Sequence, residues 1–409
     1  MEIYFLIAAI IFVIIEIIVY NLVSSVNRKF QWLILARDEK PIIKKAVLEK
    51  FFPHGYDKEL GWVRKPNTEH TEIGKDGEVK WTINNDGART NPGFESMTSN
   101  ISCYGDSFSF CRQVNNDETW EHYLSELLET NVQNFGVGNY GLDQALLRLK
   151  REFKNNPTKK VMIGVVPDTI SRILSMWKHY YEYGNTLGFK PRFSLNNNKL
   201  KFLNNPIDTE DKFLEYEKYL EYIQSNDFFY RKKFKKEKIS FPYSITILYN
   251  WKRNSEIIKW VRRINRMEKK GIDTKKVSWR PMSIIMEKNL EWRIKLFKDD
   301  NHIELIKKIL EDYVKFSKEK NFLPIFFFLP QKDDILFIQK KFNFYEKMIK
   351  EIIKIDELVF LDITKELLNK NNLDELYSDD NEYGGHFSKE GNRKIAKIIF
   401  DELKQKKII

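Results

Sequence analysis

Five short apolar runs, separated by segments with helical spacing, constrain the fold of this chain more than any other feature of its sequence. Amphipathic patterns at 121–128 and 143–153 separate the first three runs, and their apolar residues recur at helical intervals. The runs themselves lie at 101–104, 132–137, 161–166, 323–329 and 358–363. Apolar strands that alternate with helices are typical of a parallel sheet covered on both faces. The sequence therefore predicts an α/β fold with a five-stranded parallel sheet.

Two polar motifs stand where such a sheet would carry an active site. Gly-Asp-Ser ends at Ser107 and directly follows the first run, whereas Gly-Gly-His ends at His386 and precedes the last helical pattern. Ligands of open parallel sheets bind where the carboxyl ends of the strands meet loops. Serine is a poor nucleophile unless an imidazole accepts its proton. The two motifs predict a nucleophile, Ser107, and a general base, His386.

The chain begins with an almost unbroken apolar run, Ile3–Val23, which is about the ~20 residues that a helix needs to cross a membrane. No basic segment precedes the run and no clear small-residue cleavage site follows it, so an uncleaved anchor fits better than a signal peptide. Glu16 lies in the middle of the run, where a charge is costly. We expect Glu16 to be protonated, tolerated alone, or paired in an oligomer or with another membrane protein.

Changes in pattern divide the rest of the chain. Mixed basic and apolar positions after the anchor are typical of an interfacial helix, and alternating residues from Gly55 indicate short strands. An apparent hairpin at 192–202 and aromatic-rich amphipathic helices separate the third and fourth runs. The predicted organisation is a transmembrane anchor (1–24), a juxtamembrane helix (25–54), a small β appendage (55–100), a first core segment (101–169), a mainly helical insertion (170–320) and a second core segment (321–409).

Three motifs in register with the predicted strands resemble the SGNH (GDSL-type) hydrolases. They are Gly-Asp-Ser at Ser107, the glycine-rich stretch 134–141 after the second strand, and His386 before the final helix. The resemblance covers about 100–170 and about 321–405 in the order that this family requires. It implies a three-layer α/β/α sandwich with a flavodoxin-like sheet, and it implies ester hydrolysis through an acyl-serine intermediate.

The oxyanion hole is the first point at which the chain departs from this family. Ser107 is expected at the N-terminus of a helix, where free N–H groups favour negative charge. The backbone N–H groups of Ser107 and of Gly138 or Asn139 are the candidate donors. Pro167 occupies the position of the family's oxyanion asparagine and has no donor. The resemblance therefore leaves oxyanion stabilisation to backbone groups or to another side chain.

The acid that orients the histidine is the second departure. Members of the family commonly carry an aspartate three residues before the histidine, and this chain has Tyr383 there. Glu382, Asp380 and Asp379 are close in sequence, and any of them could accept the imidazole N–H of His386; Glu382 and Asp380 are the favoured candidates. A Ser-His dyad oriented by a backbone carbonyl is the alternative.

Composition narrows the classes of partner. The net charge of +11 comes from lysines dispersed among acidic and amide residues, which indicates solvated faces and no nucleic-acid partner. The other five histidines lack metal-ligand spacing, so neither a metal nor another cofactor is predicted. An ester-bearing glycan or lipid is the expected substrate. The leading hypothesis is a membrane-anchored esterase; an O-acyltransferase acting on a polysaccharide and a non-catalytic membrane-tethered binding protein are the alternatives.

The side of the membrane is left open by two opposed signals. Only two residues, Met1 and Glu2, precede the apolar run, and the basic residues follow it: Arg28, Lys29, Arg37, Lys40, Lys44 and Lys45. The positive-inside rule would keep the globular part in the cytoplasm. Enzymes that resemble this chain often act outside the cytoplasmic membrane, and large domains are translocated despite nearby charge.

Overall fold

The sheet predicted from the apolar runs is present in the computed structural model, which describes residues 1–368 and 372–409. The described strands are β1 (Tyr56–Asp57), β2 (Gly61–Trp62), β3 (Glu69–Gly74), β4 (Gly77–Thr82), β5 (Ser99–Gly105), β6 (Asn131–Asn134), β7 (Lys160–Val165), β8 (Arg192–Asn196), β9 (Lys199–Leu203), β10 (Leu323–Phe328) and β11 (Val359–Leu361). Five of them form one parallel sheet in the order β6-β5-β7-β10-β11. This is the flavodoxin-like order, and it places the topological switch point between β5 and β7.

Helices make up most of the remaining regular structure. The α-helices are α1 (Glu2–Val26), α2 (Lys45–His54), α3 (Trp120–Leu128), α4 (Leu142–Glu152), α5 (Thr169–Arg172), α6 (Lys178–Tyr181), α7 (Glu210–Leu214), α8 (Leu220–Asn226), α9 (Lys235–Glu237), α10 (Tyr243–Thr246), α11 (Trp251–Lys269), α12 (Arg280–Leu296), α13 (Asp300–Lys320), α14 (Lys332–Lys340), α15 (Glu346–Ile352), α16 (Ile363–Leu368), α17 (Leu373–Leu376) and α18 (Lys389–Gln405). Short 3-10 helices at Ala36–Glu39, Asn116–Glu118, Tyr216–Tyr219 and Ile247–Asn250, and a π-helix at Tyr230–Phe234, join them.

Helices cover both faces of the parallel sheet, as predicted. On one face, α3 and α18 pack against each other, and alternate strand residues such as Cys103, Met162 and Phe327 form a buried core with them. On the other face, α4 contacts β5 and β7, and α13 contacts β10. Side chains of a strand point alternately to the two faces of the sheet. The apolar strands therefore bury side chains on both faces. The three-layer α/β fold is therefore confirmed.

The described chain forms two compact units. Unit 1 consists of Met1–Lys44, Trp177–Gly188 and Leu214–Asn289. Unit 2 consists of Lys45–Met176, Phe189–Phe213 and Leu290–Ile409, and it contains the parallel sheet. The segment predicted as one insertion, 170–320, is thus shared between the units, and its hairpin, β8–β9, lies in unit 2.

The predicted juxtamembrane helix, 25–54, is not one helix. The chain leaves α1 at Val26, continues through turns and a short 3-10 helix, and becomes helical again only in α2. Leu33 and Leu35 are buried in the core of unit 1, and Leu35 forms a β-bridge with Ile239. Burial of these side chains against a distant segment outweighs the local amphipathic pattern.

Glu16 has partners inside unit 1. Its carboxylate accepts hydrogen bonds from the backbone N–H groups of Tyr243 and Ser244, which begin α10; the Ser244 bond is 3.0 Å long. The first turn of a helix leaves such N–H groups unsatisfied, so a carboxylate is well placed there. The carboxylate of Glu16 is therefore hydrogen-bonded within its own chain.

Candidate active site

Ser107 lies directly after β5, at the carboxyl edge of the parallel sheet and at its switch point. The end of β5 is in close contact with β7. A Cβ on Gly105 would lie only 1.9 Å from the carbonyl oxygen of Gly164. Only glycine fits at that approach. Ser107 is 6% exposed.

Asp106 fixes the turn that presents Ser107. Its buried carboxylate accepts hydrogen bonds from the backbone N–H groups of Phe108 (2.8 Å) and Val166 (2.9 Å) and from the guanidinium of Arg172 (3.0 Å). Burial raises the pKa of Asp106, although Arg172 opposes this effect. Asp106 thus connects the turn at Ser107 to the loop after β7.

The helix expected to begin at Ser107 is replaced by a series of turns. Cys111 and Gln113 have positive φ angles of 56° and 69°, which end any helical run. Arg89 shapes these turns, since its guanidinium donates to the carbonyl oxygens of Phe110, Cys111 and Val114, each at 2.6 Å. The turns redirect the chain so that Gln113 faces the histidine loop.

His386 lies in a tight loop before α18. Gly384 and Gly385 have φ angles of 60° and 66° and form the bend. The imidazole ring lies 4.9 Å from the ring of Phe108, the residue after Ser107. The N-cap of α18 is Ser388, whose side chain accepts from the backbone N–H of Gly391. His386 is therefore next to the nucleophile segment and has no capping role.

Gln113 sets the tautomer of His386. Its Oε1 atom accepts from the backbone N–H of His386 (3.0 Å) and from Ser378 Oγ (2.8 Å), and it lies 2.8 Å from His386 Nδ1. Because Oε1 only accepts hydrogen bonds, Nδ1 of the neutral ring must carry the proton. The other ring nitrogen, Nε2, is then the free base that a serine hydroxyl requires.

The surroundings keep the imidazole neutral. Burial, with a further contribution from Arg112, lowers the pKa of His386 to about 3; Glu72 opposes this effect and Arg172 adds to it. Arg112 and Glu72 form an ion pair, and Glu72 also accepts the backbone N–H of Gln113 (3.0 Å). The carboxylate of Glu72 thus holds both Arg112, which lowers the pKa of His386, and Gln113, which contacts its imidazole ring.

The two acids expected to orient His386 lie elsewhere. Asp380 has an 85% exposed side chain and pairs with Lys75 at 3.7 Å. Glu382 is also exposed. Among residues 1–368 and 372–409, Gln113 is the side chain that contacts Nδ1 of His386. The side chains predicted from the sequence were acids close to the histidine along the chain, whereas Gln113 is 273 positions away and was missed.

Backbone N–H groups are available for an oxyanion beside Ser107. A Cβ on Gly138 would lie 3.9 Å from Cβ of Ser107, and Asn139 has a left-handed φ of 68°. The carbonyl of Gly138 is bound by Trp62 Nε1 (2.9 Å), which fixes this loop. Within the described part of the chain, the N–H groups of Ser107, Gly138 and Asn139 have no hydrogen-bond acceptor. They could donate to a negative oxygen.

The loop after β7 contributes charge to the site. Asp168, which follows Pro167, occupies the N-cap position of α5, but its side chain makes no capping hydrogen bond. Its carboxylate forms ion pairs with Arg172 and Arg293, each at 3.4 Å. Arg293 also pairs with Asp334. Arg172 thus links Asp168 to Asp106, and Arg293 links Asp168 to Asp334.

Comparison with known proteins yields structural neighbours only. No protein-family model and no curated protein matches the sequence. A lipase/acylhydrolase from Enterococcus faecalis is 13% identical, with a TM-score of 0.32 over 75% of this chain and 95% of that one. An acetyl xylan esterase is 9% identical, with a TM-score of 0.35 over 74% of this chain and 98% of that one. A protein of the G-D-S-L family from Desulfitobacterium hafniense DCB-2 is 12% identical, with a TM-score of 0.35 over the same shares.

Proposed function

We propose that this chain, which has the SGNH-like α/β fold, is a membrane-anchored serine esterase with Ser107 as nucleophile and His386 as general base. The observation that carries the proposal is the 2.8 Å hydrogen bond between His386 Nδ1 and Gln113 Oε1. This bond leaves Nε2 unprotonated on a ring that lies against the nucleophile segment. A neutral, oriented imidazole is what a serine nucleophile needs.

The reaction proceeds in two balanced steps. Ser107 Oγ attacks the ester carbonyl while its proton passes to Nε2 of His386. The resulting oxyanion accepts hydrogen bonds from the backbone N–H groups of Ser107 and of Gly138 or Asn139. The bond between the carbonyl carbon and the alkoxy oxygen then breaks. The alcohol leaves with the proton from Nε2, and the acyl group remains on Ser107. Water then attacks the acyl-serine, again giving its proton to Nε2, and the serine regains that proton as the acid departs.

Glutamine in place of an acid changes the energetics of this cycle. A carboxylate would stabilise the imidazolium that forms in each step, whereas the neutral amide of Gln113 only orients the ring. Glu72 is the charged group that favours the imidazolium, because it raises the pKa of His386 against the effect of Arg112. We therefore expect a slower enzyme than one with a directly bound acid.

Unit 1 supports the uncleaved anchor. Helix α1 is long and apolar enough to cross a membrane. Its last turns are also part of a folded core, in which Val23 and Val26 are buried with Leu33 and Ile239. Loss of the helix would expose that core at a cost of roughly 1.5–3 kcal/mol for each fully buried large apolar side chain.

The segment beside α1 also favours lipid contact. The ring of Phe241 lies 5.9 Å from that of Phe12, and the ring of Tyr243 lies 5.2 Å from that of Tyr20. Several large apolar side chains around this segment are exposed: Phe241, Ile245, Leu248, Tyr249 and Trp251. Contiguous exposed apolar surface of this kind is typical of membrane contact. The substrate in this setting is an ester-bearing lipid or an O-acetylated glycan near the membrane.

Labelling with a fluorophosphonate probe tests the catalytic assignment. We expect the purified protein to be labelled, Ser107→Ala to lose the label and His386→Ala to be labelled far more slowly. Ser109→Ala is the matched control, because Ser109 lies two residues away and donates to Gly164 O in the core. Absence of Ser107-dependent labelling in folded protein would contradict the proposal and favour a non-catalytic binding protein.

Acyl transfer is the second candidate, and the low exposure of Ser107 favours it. A nucleophile that is 6% exposed gives water little access to the acyl-serine, so a bound hydroxyl could compete with water. Incubation with an acetyl ester donor and candidate glycans separates the two reactions. Free acetate indicates hydrolysis, whereas acetate recovered on the glycan indicates transfer.

A further inference from the structure

Unit 1 contains a cavity of about 750 Å³ beside the end of α1. Its walls come from the last turn of α1 and the loop after it, from α11, and from the start of α12. Apolar side chains form much of the lining: Val26, Phe30, Trp32, Val261, Ile264 and Pro281. The hydrophobic part of a ligand would therefore find apolar contacts there.

The rest of the lining is strongly cationic. Five basic residues, Arg28, Lys29, Arg262, Arg266 and Lys269, line the cavity together with one acidic residue, Glu268. Lys29 pairs with Glu268, which leaves four cationic side chains. In the part of the chain that the structure describes, these four form no ion pair, and all are exposed. The cavity therefore favours an anion, and a phosphate group suits arginine in particular.

The cavity lies at the depth of lipid headgroups if α1 is an anchor, so the inference rests on the proposed membrane association. The first cavity residue along the chain, Ser25, follows the end of the apolar run at Val23 by two positions. About 20 helical residues cross the hydrocarbon, and the next turn then lies among the headgroups. This placement holds on either side of the membrane.

We propose that this cavity binds the phosphate-bearing headgroup of an anionic membrane lipid. The phosphate accepts hydrogen bonds from the arginines of α11, Arg262 and Arg266, and the apolar lining contacts the carbons next to the headgroup. The bound lipid neutralises the cationic rim and holds α11 against the end of α1. Free phosphate shares the anionic chemistry but cannot fill the apolar lining.

Displacement of a fluorescent phosphatidylglycerol tests this site on the full-length protein in neutral detergent micelles. Unlabelled phosphatidylglycerol should displace the probe at a concentration at least 10-fold lower than phosphatidylcholine with the same acyl chains. Each cation near an anionic surface is worth about 5-fold in affinity, so Arg262→Gln/Arg266→Gln should weaken binding about 25-fold. The matched control, Lys252→Gln/Lys259→Gln, removes the same charge from exposed positions of α11 outside the cavity and should change affinity less than about 2-fold.

Three outcomes would overturn the proposal: equal displacement by the two lipids, an equal effect of the two double variants, or displacement by millimolar inorganic phosphate alone. The result is independent of catalysis, because Ser107→Ala should bind the lipid as the unmodified protein does. Lost fluorophosphonate labelling with intact lipid binding would reject only the esterase proposal. An intact mass that lacks α1 would reject the anchor separately.

Discussion

At the scale of single residues, the position of Gln113 determines how His386 is oriented in the proposed serine–histidine pair. Gln113 and His386 are 273 positions apart in sequence, yet the amide oxygen fixes the imidazole tautomer. The backbone of Gln113 is in turn held by Glu72. The histidine is thus oriented by a neutral group, and the nearest charges, Arg112 and Glu72, act on its pKa from further away.

Replacement of Gln113 by alanine should lower kcat about 10- to 100-fold, because the imidazole loses the acceptor that fixes its tautomer. Gln113→Glu should restore the orientation. The measurement is ester hydrolysis with saturating substrate. Asp380→Asn and Glu382→Gln serve as controls and should retain activity within about 2-fold, since both side chains are exposed. An equal loss in either control would show that an acid near the histidine orients it in solution.

The activity of the enzyme should begin to fall only at unusually low pH, at the acid limb of its pH profile. With the pKa of His386 lowered to about 3 by burial and by Arg112, the imidazole stays neutral, and kcat/KM should remain flat down to about pH 5. Arg112→Gln removes a cation and releases Glu72. Both changes raise the pKa of His386, so the acid limb of the kcat/KM profile should shift to higher pH by about one unit. A wild-type limb near pH 6.5 would contradict this account of the site.

At the scale of elements, the contact between the ends of β5 and β7 positions Ser107, the proposed nucleophile. Gly105 and Gly164 meet where the two strands end, and Asp106 then binds the backbone of Val166 just beyond β7. The strands are parallel neighbours at the switch point of the sheet. The geometry of Ser107 is therefore set by strand packing as well as by its own turn.

Substitution of Gly105 by alanine should lower the free energy of unfolding by about 2 kcal/mol or more, because the added Cβ overlaps the Gly164 carbonyl at 1.9 Å. Denaturant titration measures the change. Gly55→Ala is the control, as its Cβ would meet only residue Phe51, at 3.3 Å, and we expect a smaller loss there. Similar stabilities for the two variants would mean that β5 and β7 are not in close contact at this point.

At the scale of the whole molecule, unit 1 and unit 2 divide the proposed roles. Unit 2 contains the parallel sheet with Ser107, Gln113 and His386. Unit 1 contains α1, the exposed apolar segment near Phe241 and the cationic cavity. Catalysis and membrane contact are thus assigned to separate cores.

The mature protein should keep α1. Cleavage after α1 would remove Val23 and Val26 from the core of unit 1 and the carboxylate of Glu16 from the N–H groups of α10. Intact mass spectrometry of the membrane-extracted protein measures this, and we expect a mass that includes residues 1–26. A product that begins after this helix would identify a signal sequence. A reporter fused at Ile409, active only outside the cytoplasm, then determines the side.

Local patterns in the sequence determined the sheet, the order of its elements and the positions of the serine and histidine motifs. The alternation of strands and helices and the glycines of turns are patterns of neighbouring residues. They can therefore be recognised in the sequence without knowledge of the fold. The same local patterns were misleading where burial dominates: residues 25–54 have helical periodicity, and yet Leu33 and Leu35 enter a core instead.

The tertiary structure decided which groups surround Ser107 and His386 and which residues contact α1. Gln113 reaches His386, Arg89 shapes the turns after Ser107, and Glu16 meets α10 through contacts between residues far apart in the chain. No local pattern specifies such a pairing, because it depends on how separate elements pack. The sequence alone therefore predicted Ser107 and His386 as nucleophile and base, and packing determined that Gln113 contacts the imidazole of His386.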